Sequence, residues 1–339
     1  MRRPSPQWLQ LPAPIHFSSD SSSQPLAFTQ TRYSMLQWLF IVASLTLALA
    51  SPSAKRATVC NGHAELCNRS FGNVTFFGSH DSFAFTTDPF VLARDQEVDI
   101  PAQLGLGVRL LQAQAHMRNG ALHFCHTSCI LFDGGTVEDY LKKVKTFLDA
   151  NPNEVITLIF TNPEGVSIPS VWKPAFDNSG ITPLAFIPPS IPMKASDWPT
   201  LGQLIDSGKR VVVFLDAGAD GQGSGNFILP EFPMIWETPF SQTDASFPCR
   251  VDRIQGPLST EDHMYMINHS LNVNILPIGD GVLVSDPVDA PVTNGVTSIV
   301  NHANGCAQFA AGRAPNFVLL DYVNIGQGKQ AVDILNRVA

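Results

Sequence analysis

Charge is scarce in this 339-residue chain, and what there is lies scattered. Asp, Glu, Lys and Arg make up 15% of residues, with no block of five or six like charges. No basic surface large enough to grip a phosphate backbone is therefore legible. The net charge is −8, so DNA and RNA are set aside as partners. Long apolar runs are lacking as well. The best, "MLQWLFIVASLTLALA" at 35–50, falls short of the roughly 20 residues a membrane helix needs. No apolar tail follows "DILNRVA" at 333–339, so a GPI anchor is not expected.

The 35–50 stretch ends in Ala48-Leu49-Ala50 before Ser51, the small-residue pattern of a signal cleavage site, and Lys55-Arg56 then resembles a dibasic processing site. Residues 35–56 read as a signal peptide and processing segment. Residues 1–34 are Ser/Pro-rich and without period, either an unstructured extension or a mis-assigned start with Met35 as initiator. The rival is a signal anchor with a cytoplasmic tail. Secretion agrees with the other counts. All six cysteines follow the signal, and N-x-[ST] sequons stand at Asn68, Asn73 and Asn268. Six cysteines permit several connectivities. The spacing favours Cys60 with Cys67, Cys125 with Cys129, and Cys249 with Cys306, all as disulfides of an oxidising compartment.

From 57 to 339 the chain reads as a single α/β domain. Apolar runs at 73–79, 108–114, 121–125, 154–160, 210–216, 264–269 and 316–322 look like strands, several of them continuous as buried parallel strands are. A capping-box start at Thr136 opens a helix whose apolar face holds Val137, Tyr140, Leu141, Val144, Phe147 and Leu148, and Asn151-Pro152 stops it. Lys142, Lys143 and Lys145 form its solvated face. A weaker helix is expected at 201–206 and another at 330–338. Seven strands, some alternating with helices, favour a distorted TIM (β/α)8-type barrel. The Pro-rich, aperiodic stretches 163–199 and 217–262 read as long rim loops.

In such a barrel the reactive groups sit at strand ends on the C-terminal face. "GSHDSF" places His80 and Asp81 after the first strand, and "ALHFCHTSC" places His126 after the third. Asp216 ends the fifth strand, His269 lies near the end of the run at 264–269, and Asp321 lies near the end of the last, beside strand one, where it orients His80. Two histidines with such a carboxylate suit phosphodiester cleavage. One imidazole takes a proton from an attacking hydroxyl while the other protonates the leaving oxygen. His116, His123 and His302 read as hydrogen-bonded core residues.

The motifs "CNGHAELCNRSFGNVTFFGSHDSFAF", "QLGLGVRLLQAQAH", "LHFCHTSC", "VVVFLDAGAD" and "NFVLLDY" resemble the secreted fungal members of the phosphatidylinositol-specific phospholipase C X-domain superfamily, the PLC-like phosphodiesterases. The resemblance spans roughly residues 57–325. It implies a distorted TIM barrel, His80 as general base toward the inositol 2-hydroxyl, and His126 as general acid toward diacylglycerol. It also implies Asp81 as the acidic neighbour of the first histidine and Asp321 as the carboxylate behind the base. A phospholipid or other phosphodiester is then the substrate, with peripheral membrane contact.

One departure stands out. Where the superfamily carries metal-binding carboxylates or an Asp/Arg pair at the end of strand two, this chain has Gln112 and Gln114. Two neutral amides cannot supply the charge a hard divalent cation needs, so no metal and no other cofactor is expected. Nor do they replace a phosphate-neutralising arginine, and Arg109 lies on the opposite side of its strand by period. Gln112, Gln114, Asp216 and His269 are the expected substrate contacts. Two readings remain open: a secreted, metal-independent phosphodiesterase, and a catalytically weakened barrel that binds phosphoinositol or glycan head groups. The C-H-x-x-C at 125–129 then reads as a small disulfide loop holding His126, in preference to zinc or redox chemistry.

Overall fold

The computed structural model describes residues 56–276 and 281–339. The expected signal segment and the extension before it lie outside the described residues. The β-branched and aromatic runs form the long strands. These are β1 (Phe76–Ser79), β2 (Leu110–Arg118), β3 (Ala121–Cys125), β4 (Asp133–Thr136), β5 (Ile156–Thr161) and β6 (Val211–Leu215). The chain then adds β7 (Ile228–Pro230), β8 (Ile235–Glu237), β9 (Met264–Asn268), β10 (Asn272–Asn274), β11 (Leu283–Ser285) and β12 (Phe317–Leu320).

Eight of them follow one another around a curled sheet in the order β7-β6-β5-β2-β1-β12-β9-β8, every neighbouring pair parallel. β7 and β8 do not pair, so the barrel is open along one seam. This is the α/β, distorted TIM-type barrel that the sequence predicts, with three-residue strands on either side of the gap.

Side chains alternate across the wall with period two. Phe76, Leu110, Ile159, Phe214, Met266 and Leu319 fill the inside. Phe77, Leu111, Leu158, Val213, Ile267 and Leu320 belong to the outer layer, whose cluster also takes in the buried faces of the helices. The helix Val137–Ala150 is capped by Thr136 Oγ1, which accepts from the Asp139 N–H at 3.1 Å, and it buries Tyr140, Leu141, Val144 and Leu148. Helices at Leu201–Asp206 and Gly328–Leu335 stand within a few residues of their expected places.

Three expectations change. The run 121–125 is not a barrel strand. β3 turns back antiparallel onto β2 through Asn119-Gly120, both residues at positive φ, the tight hairpin that Asn-Gly favours. The stretches read as rim loops hold regular elements, the helix Lys173–Ser179 in one and β7 and β8 in the other. Three-residue strands ringed by Pro230 and Pro233 carry too little period to be seen in sequence. A helix at Val296–Cys306 was also not foreseen. All three expected disulfides are present, Cys60–Cys67, Cys125–Cys129 and Cys249–Cys306.

Candidate active site

β1 ends at Ser79, and His80 N–H still donates to Leu320 O at 2.9 Å, which sets His80 beside the end of β12. The next residue, Asp81, turns out of the strand at φ +33°, a conformation that aspartate tolerates better than most. Asp81 N–H donates to Gln112 Oε1 at 2.8 Å, and Asp81 Oδ1 accepts from the Gln114 N–H at 3.2 Å. The end of β2 thus clamps Asp81.

Across the mouth, His126 follows the hairpin strand β3 and enters the Cys125–Cys129 loop. Its backbone N–H donates to Phe132 O, and Thr127, held at φ +59°, donates to Gln114 Oε1 at 3.1 Å. A β-branched residue in that region is strained, and the small disulfide loop holds it there.

The two imidazoles face the same carboxylate. His80 Nε2 is 4.0 Å and His126 Nε2 3.6 Å from Asp81 Oδ2. Their other nitrogens are committed elsewhere, His80 Nδ1 to Asp321 Oδ1 at 2.7 Å and His126 Nδ1 to Ala93 O at 2.8 Å. Since Ala93 O can only accept, His126 Nδ1 carries a hydrogen. A carboxylate not foreseen in the sequence, Asp95, lies 3.3 Å from His126 Nδ1. Ser285 at the end of β11 bridges it to Asp321.

This crowding sets the protonation. Burial alone would lower the His80 imidazole, but the Asp321 carboxylate, with Asp81 and Asp95 beyond it, raises it to about 10. His126 is opposed by burial and raised by Asp95 and Asp81. Burial pushes the Asp81 carboxyl up, and burial with Asp321 beside it brings Asp95 to about 7. The groups bind protons as one set.

His80, Gln112 and Gln114 line one side of a pocket of about 120 Å³ inside the barrel mouth, facing Asp216, Glu237 and Arg253. Sequence reasoning did not find Arg253. It lies in a loop that pairs with β8, where Glu237 N–H donates to Arg253 O at 3.1 Å and Asp252 N–H to Glu237 O at 2.9 Å. Its guanidinium is ion-paired with Glu237 and stacks 4.7 Å from the Phe240 ring, while Nε keeps no partner. Arg253 is thus a cation at a pocket whose charge looked unanswered in the sequence. Glu231, also lining it, is buried beside Glu237 and pushed well above the carboxylate range. Arg109 turns away as expected, paired with Glu154 at 2.7 Å.

His269 is not brought to this pocket. It is fully buried, with Nε2 2.9 Å from Thr293 O and Nδ1 2.9 Å from His302 Nδ1. Because β9 ends at Asn268, Asn268 faces the pocket and the next residue faces the helices. The Asn268 side chain donates to Glu237 Oε2 at 3.0 Å and Thr238 O at 2.7 Å, so that sequon is closed to glycosylation in the folded chain. Asn68 and Asn73 are exposed. His116 and His123 are half-buried partners of Glu164 and Asp133, not core residues.

Among the described residues, the set His80, Asp81 and Asp95 brings its ligand atoms within 4.8 Å of one another. Each of its carboxylates already faces an imidazole, which fits shared protons better than a divalent cation.

Comparison with known proteins gives the family and the fold. The family model described as PI-PLC X 1 matches residues 66–336. A PI-PLC X domain-containing protein 1 of Arthroderma benhamiae is 39% identical over 308 residues, covering 88% of this chain and 96% of that protein. An uncharacterized secreted protein of the same fungus is 40% identical over 293 residues, 84% of this chain, which spans 64% of that longer relative. Among solved structures, a mutant phosphatidylinositol-specific phospholipase C from Staphylococcus aureus superposes with a TM-score of 0.52 at 15% identity, over 79% of this chain and 94% of that one, a likeness of fold. The chain belongs to the PI-PLC X domain family.

Proposed function

We propose that the chain is a secreted, metal-independent phosphodiesterase that cleaves phosphatidylinositol or a closely related phosphodiester. The observation that carries the reading is the pair of imidazole Nε2 atoms facing one another across Asp81, with Asp321 behind His80. His80 Nε2 takes the proton of a head-group hydroxyl next to the phosphate. That oxygen attacks phosphorus, the bond to the diacylglycerol oxygen breaks, and His126 Nε2–H protonates the departing oxygen. Arg253 supplies positive charge from the far wall. Asp216, Glu237 and Asn268 offer acceptors and donors to the ring hydroxyls of a polyol.

Export is supported by the three disulfides and by the relative named as secreted. Peripheral membrane contact is supported by the rim. Phe90 is 88% and Ile130 96% exposed, with Leu92 and Leu131 beside them. Phe90 and Leu92 immediately precede Ala93, whose carbonyl holds His126, and Ile130 and Leu131 immediately follow the disulfide loop. Exposed apolar side chains around a site mouth suit a lipid surface.

The test is release of soluble head group from labelled phosphatidylinositol in the presence of EDTA. The wild-type chain is expected to release it and the H80A/H126A double variant to release none. Binding of inositol phosphate without release would favour the head-group binder instead, a reading to which the carboxylate-rich pocket wall also gives support.

A further inference from the structure

Asp81 Oδ2 is fully buried and makes no hydrogen bond, yet it lies against both reactive nitrogens. Its sister oxygen is tied to Gln114 N–H and its backbone N–H to Gln112, so the carboxyl group is fixed with one oxygen left free. That free oxygen is the acidic atom the two Nε2 positions have in common.

The proposed reaction needs something there. When the attacking hydroxyl is part of the head group, the product is a cyclic phosphate. If that product leaves, His80 keeps an extra proton on Nε2 and His126 has lost one from Nε2. Each such turnover must return one proton between the same two atoms. Resting on the functional reading above, we infer that Asp81 is the carrier, passing the proton from His80 Nε2 to His126 Nε2. His80 Nε2–H protonates Oδ2 and recovers its lone pair. Oδ2–H then protonates His126 Nε2, and the carboxylate is anionic again. One proton moves and nothing is oxidised or reduced.

The alternative route through Asp321, Ser285 and Asp95 meets both rings at Nδ1. A proton taken from His80 Nδ1 would leave hydrogen on Nε2, the atom that must be bare. Delivery at His126 Nδ1 fails likewise, since that atom already holds the hydrogen donated to Ala93. That network orients the rings and cannot reset them. The Asp81 contacts exceed hydrogen-bond length, so each hop needs a closing movement of about 1 Å, supplied by tilting of each imidazole about its Nδ1 hydrogen bond toward the fixed carboxylate. The charged groups facing Asp81 are His80, His126 and Asp321, and burial raises its carboxyl, which narrows the gap in proton affinity between it and the two rings.

The experiment is rapid-mix kinetics of head-group release from phosphatidylinositol vesicles by the wild-type chain and by D81N. For D81N, a first turnover within about ten-fold of wild type is expected, followed by a slow steady state. Added imidazole buffer should raise that steady state in proportion to its concentration and leave the first turnover unchanged, while wild type stays insensitive. Equal loss in both phases, or no response to buffer, overturns the inference. No release by the wild-type chain overturns the functional reading and the inference with it. D81E, which keeps the acid and moves the oxygen, is the second variant should D81N fold poorly. It is expected to retain steady turnover without buffer, and buffer-independent slow turnover there counts against the carrier.

Discussion

Ser285 Oγ lies 2.7 Å from Asp321 Oδ2, and its opposite side touches Asp95 Oδ1. A hydroxyl has one hydrogen, so it donates to one carboxylate only, and the second contact needs a proton on the other acid. Asp95, raised to about 7 by burial and by Asp321, is the acid that takes it. Asp95 then donates to Ser285 and Ser285 to Asp321, leaving Asp321 fully charged behind His80. S285A removes a hydrogen bond to a charged group, worth about 1.5–3 kcal/mol, so kcat should fall roughly ten- to hundred-fold with KM little changed. Steady-state head-group release measures this. An unchanged kcat would mean that Asp321 needs no support.

The same carboxylates set the pH response. With His80 raised to about 10, chiefly by Asp321 against the opposing effect of burial, its base form is scarce at neutral pH and grows as pH rises. kcat/KM should therefore climb with pH through the neutral range, while His126, also raised, keeps its acid form above 6.5. D321N takes away the nearest charge, so the climb should move to lower pH and its plateau should drop. A pH–rate profile of D321N with the same acid limb as wild type would break the link between the two residues.

How far the site was legible follows from the barrel. His80 and Asp321 end strands that neighbour one another in any closed barrel, so their contact could be read from strand order, and the register of β1 on β12 delivers it. His126 lies near His80 by a different route from the one expected, since it follows a hairpin strand and not a barrel strand. Arg253, Asp95 and Ser285 were invisible because each lies in a segment without period, and only the curl of the sheet brings them to the histidines. His269 misled because strand ends carry alternating faces, and a one-residue shift in where β9 stops sends the ring to the helix side.

The Cys125–Cys129 loop carries its own test. It closes around His126 and keeps Thr127 at a positive φ against Gln114. Opening it frees that turn without touching the barrel core, so mild reductant should slow head-group release several-fold before near-UV circular dichroism changes. A C125S/C129S variant should behave the same way. Full activity with this bridge open, verified by mass spectrometry of the labelled thiols, would show that the loop holds His126 without it.

The buried pair His269 and His302 predicts where the fold weakens. His269 Nε2–H donates to Thr293 O, which leaves its Nδ1 as acceptor for His302 Nδ1–H, so both rings are neutral. Burial lowers His269 to about 4, and burial with His269 beside it lowers His302 to about 3. Unfolded, both rings titrate near 6.5, so below that pH the unfolded chain binds protons that the folded chain refuses. The stability they contribute is complete above 6.5 and is lost progressively as pH falls toward 4 and 3. The loss is on the order of several kcal/mol over that span, since each pKa unit is worth about 1.4 kcal/mol. Urea midpoints should therefore drop steeply between pH 6.5 and 4. H302F removes one proton-binding ring and should flatten that slope at some cost in stability at pH 7, because His269 Nδ1 loses its donor. An equal slope in wild type and H302F would show that the pair is not what acid attacks.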